Sequence, residues 1–65
     1  MWAMFSTMEY DVTIDNSAQE FENLDEILKF MADYHSDYIL VISTGKMLQY
    51  VGKNSKSIVI LLYAA

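Results

Sequence analysis

The chain's one histidine, His35, stands between Asp33 and Asp37, with Ser36 beside it and Ser43 a little downstream. Serine, imidazole and carboxylate are the parts of acyl-transfer chemistry, in which the histidine takes the hydroxyl proton and the carboxylate orients the ring. Such a set is recognised by geometry, and no serine here stands in a defined relation to His35. The position falls at the end of a predicted helix, where a protonated imidazole is favourable against the negative end of the dipole, so capping is the simpler role. Gly45-Lys46 and Gly52-Lys53 invite comparison with a phosphate-binding loop, which needs four residues between its glycines, then Lys and Ser or Thr, opening a helix. Here six residues intervene, Asn54 follows Lys53, and the segment is predicted to join two strands, so a hairpin turn is expected. Glu22, Asp25, Glu26 and Asp33 carry oxygens suited to a hard cation, but a calcium loop alternates its acids around a glycine turn and does not spread them along a helix. There is no cysteine to supply a thiolate ligand. The reading is therefore a protein with no catalytic residue, no metal and no cofactor.

Charge carries more information. The formal net charge is −5, and arginine is absent, which argues against direct binding of nucleic-acid phosphates. All nine acids lie within the first 37 residues, whereas Lys46, Lys53 and Lys56 come after them. Four of the acids, Glu22, Asp25, Glu26 and Asp33, fall on the exposed side of a predicted helix. They form either a solvated face or a surface that attracts a basic protein partner, such as a nucleic-acid-handling enzyme or a toxin.

These residues must be held by a small scaffold. From Glu9 to Asp15, Tyr10, Val12 and Ile14 alternate with polar residues, the pattern of a half-exposed strand. Residues 1–8 are mostly apolar and form either an N-terminal arm or an extension of that strand. Ser17 and Glu20 have capping-box spacing, and a helix is expected from about Ala18 to Tyr34, with Phe21, Leu24, Ile27, Leu28, Met31 and Tyr34 on one stripe and Phe30 off it. Tyr38 to Thr44 is apolar on both faces and reads as a central strand. Gly45 turns the chain into Met47–Val51, and a polar turn over 52–56 leads to the last strand, Ser57 to Ala65. The predicted fold class is α+β: a single domain over 1–65, one helix packed on a four-stranded, mainly antiparallel sheet in the order β-α-β-β-β.

A domain of this length buries only about 60% of the surface of its unfolded chain and needs a supplement to its core. With disulfides ruled out, self-association is the remaining supplement, and Phe30, Ile58, Ile60, Leu62 and Tyr63 are its candidate contacts, with the open sheet face closed by another copy. No stretch approaches the roughly 18 apolar residues of a membrane span. The first residues have neither the basic nor the long apolar region of a secretory signal, so a cytoplasmic protein with no membrane partner is expected.

The stretch from Val12 to Val59 resembles the opening of some small immunity proteins of bacterial toxin systems. The likeness rests on a strand, an acidic helix containing Leu24-Asp25-Glu26-Ile27-Leu28, a strand ending at Gly45, and Leu48, Val51-Gly52 and Ser55 leading to Ile58-Val59. It implies a protein that binds and occludes a cognate toxin without chemistry of its own. Such families run on into further strands, so no toxin-blocking residue carries over. The expectation is a non-enzymatic acidic inhibitor of a macromolecular partner, either immunity-protein-like or a phage counter-defence inhibitor. Two alternatives stand beside it. One is a structural homo-oligomer, or a fragment completing a larger assembly; the other is a small-ligand sponge that draws on Lys46, Tyr50 and Lys53 between subunits.

Overall fold

Tyr10 and Asp11 both have positive φ, 52° and 63°, the backbone sign that two-residue hairpin turns require to match the twist of their strands. They divide the predicted first strand in two. In the computed structural model, which describes residues 1–64, strand β1 is Trp2–Glu9 and strand β2 is Val12–Glu20. Helix α1, Leu24–Tyr34, follows, and then strands β3 (Ile39–Ser43), β4 (Met47–Val51) and β5 (Lys56–Tyr63). The five strands form one sheet in the order β2-β1-β5-β4-β3, with antiparallel neighbours throughout. The α+β class holds, and so does the meander of the last three strands. The sheet has five strands, where four were expected, and the order is β-β-α-β-β-β.

The helix joins the two edges of the sheet. Eleven residues at 1.5 Å each give about 16 Å, close to the roughly 19 Å spanned by five strands, so one short helix suffices to cross one face. Ile27 and Met31 on its inner side, with Phe21 just before it, meet Ala3 and Phe5 of β1, Leu48 and Tyr50 of β4, and Ile58 and Ile60 of β5 to form the core.

The helix begins at Leu24, six residues later than the start near Ala18 that the Ser17 and Glu20 spacing predicts. Ser17, Ala18 and Glu20 pair with Phe5, Met4 and Trp2 as part of β2. Asn23 is the N-cap: its Oδ1 accepts the Glu26 N–H at 3.1 Å, and the Glu26 carboxylate accepts the Glu22 N–H at 3.2 Å. The reciprocal bonding expected of Ser17 and Glu20 is thus made by Asn23 and Glu26, in a slightly displaced form. At the other end, the stripe predicts a buried Tyr34, yet it is 73% exposed. Phe30, placed off the stripe, is half-buried, with its ring 5.7 Å from Phe5 and 5.5 Å from Phe21.

The strand expected to be central, β3, lies at an edge. Because β1 occupies the far side of β5, β5 is the central strand of the five, and β3 pairs with β4 alone. A bulge between Leu40 and Ile42 leaves Val41 out of register. The last strand runs to Tyr63; Ala65 lies outside the described residues. No helix among those residues is long and apolar enough to cross a membrane.

Candidate functional site

Glu22, Asp25, Glu26 and Asp33 are all exposed, on the side of α1 turned away from the sheet and just before its start. Asp25 and Glu26 have a local reason to be there. They occupy the first helical turn, where negative charge is favoured by the dipole, and Glu26 also takes part in the cap. Asp33 has none, for it stands in the last turn, where a carboxylate is disfavoured and where there is no basic residue. Lys29 is exposed four residues from both Asp25 and Asp33, so the outer face keeps a surplus of negative charge. Glu20, at the end of β2, joins Glu22 and Glu26 around one shallow depression, an addition that depends on β2 running straight into the helix cap.

His35 and Ser36 line one shallow pocket with Tyr38 and Tyr50 at the C-terminal end of the helix. His35 ends the helix, its backbone N–H donating to Met31 O at 2.9 Å. Its ring packs between Phe30 and Tyr38 at centroid distances of 5.9 and 5.7 Å. Among the described residues, no three His, Asp or Glu side chains gather as a metal site would require. Lys46 and Lys53 lie in turns at opposite ends of β4, about 23 Å apart along an extended strand. Tyr50, between them, is buried against the helix, where burial pushes its phenol pKa up. One chain therefore does not bring Lys46, Tyr50 and Lys53 to a common point.

The residues proposed for self-association divide between the two sheet faces. Ile58 and Ile60 are almost wholly buried beneath the helix, and Phe30 and Leu62 pack against the same core. Only Tyr63 of the five lies on the other face. Cross-strand register identifies its neighbours, because residues directly opposite one another share a face. Tyr63 pairs with Trp2, Leu61 lies between Met4 and Met47, and Val51 lies between Ser57 and Ile39. Trp2, Met4, Leu61, Tyr63 and Ile42 are 39–48% exposed. Trp2, Met4 and Met8 share one strand parity in the sequence, and on a strand spanning residues 2–9 that parity marks this face.

No family model matches the chain, and neither a curated protein nor a solved structure matches it.

Proposed function

We propose that the chain is a non-enzymatic acidic binding protein that occludes a macromolecular partner, acting in the cytoplasm as an assembly of copies. The partner is a protein with a basic contact surface, such as a toxin or a nucleic-acid-handling enzyme. What carries this reading is Asp33. Its charge works against the local stability of α1, and together with Glu22, Asp25 and Glu26 it gives the outer side of the helix an excess of negative charge. The likeness to small immunity proteins supports the same conclusion, since such proteins block their targets by contact. A phage-encoded inhibitor of a host defence enzyme would need the same surface.

The test is a paired capture from host lysate on the wild-type chain and on a Glu22→Lys, Asp33→Lys variant. These two positions avoid the carboxylate that completes the cap. The expected result is a protein held by the wild type and lost with the variant, whose own activity falls when the wild-type chain is added. Capture that is the same for both chains, with circular dichroism showing both folded, would remove the acidic helix from the account.

A further inference from the structure

We propose that the helix-free face of the sheet packs against the same face of a second copy, forming a four-layer assembly with the two sheets inside and the two helices outside. This rests on the self-association part of the reading above and is independent of the acidic contact.

The first ground is area. Taking roughly 150–250 Å² for a whole large side chain, the exposed fractions of Trp2, Met4, Ile39, Ile42, Leu61 and Tyr63 leave on the order of 600 Å² of apolar surface. That is the upper end of what a monomer exposes in one patch and most of the ~800 Å² per partner of a stable interface. Met47 and Val59, half-buried on the same face, supply part of the remainder.

The second ground is charge. A chain at −5 repels its own copies, so any self-contact must use a surface with little charge. The rows Ala18-Met4-Leu61-Met47 and Asn16-Ser6-Val59-Gln49-Ile42 contain no ionisable side chain. Glu20, paired with Trp2 at one corner, is the exception and can stay at the rim. The helix acids would face outward, at the greatest distance from the seam. A two-fold axis through the face sets each copy's apolar patch on the other's, the self-complementary arrangement of an isologous dimer, with the sheets about 10 Å apart.

Trp2 is the chain's only tryptophan and lies on this face, so the unmodified protein reports on its own seam. Light scattering and tryptophan emission are measured over one dilution series. The expected result is a mass of two copies at high concentration, with emission moving to longer wavelength in step with dissociation. Leu61→Lys, which places a charge in the dry centre of the seam, should remain folded and weaken association by at least about tenfold. Val12→Lys, an exposed position opposite Glu9 and so on the other face of the sheet, should leave association unchanged. A monomer at every concentration would overturn self-association itself. A dimer that forms without any change in Trp2 emission, or that Val12→Lys disperses while Leu61→Lys does not, would overturn this seam and leave self-association standing. If Leu61→Lys fails to fold, the emission series on the unmodified chain decides.

Discussion

Replacing Asn23 by alanine tests the position at which the helix begins. The Asn23 side chain accepts one backbone N–H, that of Glu26, at 3.1 Å, at a helix start that is exposed to water. Water can take the lost bond, so the penalty is that of a missing cap, about 1 kcal/mol within a range of 0.5–2. For a domain of this size that corresponds to a fall in Tm of about 4–8 °C. Ser17→Ala is the matched control. Ser17 lies in an exposed edge strand, and its loss should stay within about 0.5 kcal/mol. Ala18→Thr sharpens the contrast, because a β-branched residue is disfavoured in a helix and favoured in a strand; it should leave Tm level or raise it. All three are read by thermal and urea unfolding where the chain is dilute, since Ala18 lies beside Met4 on the helix-free face. If Ser17→Ala and Ala18→Thr both destabilise by 1 kcal/mol or more while Asn23→Ala is silent, the helix starts near Ala18 and the five-strand sheet is wrong.

Two further perturbations probe the core. Ile60→Ala should cost about 2–5 kcal/mol, comparable to the whole stability of a core this size, while Leu61→Ala, measured where the chain is dilute, should cost distinctly less; the reverse order in urea midpoints would mean that β5 is turned over. Burial raises the Tyr50 pKa above its ordinary value near 10. Below pH 10 the phenol is protonated in both states and contributes no pH dependence; above it the unfolded chain ionises first, so stability falls as pH rises towards the raised folded value. Urea midpoints taken from about pH 8 to pH 11 should decline less for Tyr50→Phe than for the wild type, and equal slopes would remove Tyr50 as the cause.

The part of the fold that sequence made legible is the part where apolar periodicity is strong. Ile27, Leu28 and Met31 mark the helix, and the β4 and β5 segments carry enough β-branched and aromatic residues to be placed within a residue or two. The N-terminal hairpin was hidden for two physical reasons. Its turn uses Tyr10 and Asp11 at positive φ, without the glycine that normally signals such a turn. Strand β2, Val-Thr-Ile-Asp-Asn-Ser-Ala-Gln-Glu, has little apolar alternation because it is an edge strand that covers none of the core. With the second half of β2 unseen, the Ser17 and Glu20 spacing passes for a capping box, although Asn23 and Glu26 have the same spacing immediately before Ile27 enters the core. The acids of the candidate site were legible because charge on a helix surface needs no register to be seen. The open face was not, since its members come from four strands and only pairing brings Trp2, Leu61 and Ile42 to one side.

That division also bears on how the two proposed surfaces coexist. A protein this acidic can bind a basic partner and its own copy only if the two contacts place opposite demands on separate surfaces. One must concentrate charge, and the other must exclude it. The helix lies across one face of the sheet and carries Glu22, Asp25, Glu26 and Asp33 on its far side, whereas the rows centred on Leu61 and Val59 are uncharged. The sheet between them is the spacer. Closing the uncharged faces together would leave two acidic helices roughly 30 Å apart and pointing in opposite directions. One compact partner could not engage both, so each helix would act separately and avidity would arise only with a partner that is itself repeated. Association through the face and occlusion through the helix are then separable by substitution. Leu61→Lys acts on the first and Asp33→Lys on the second, and neither residue lies in the core that both surfaces depend on.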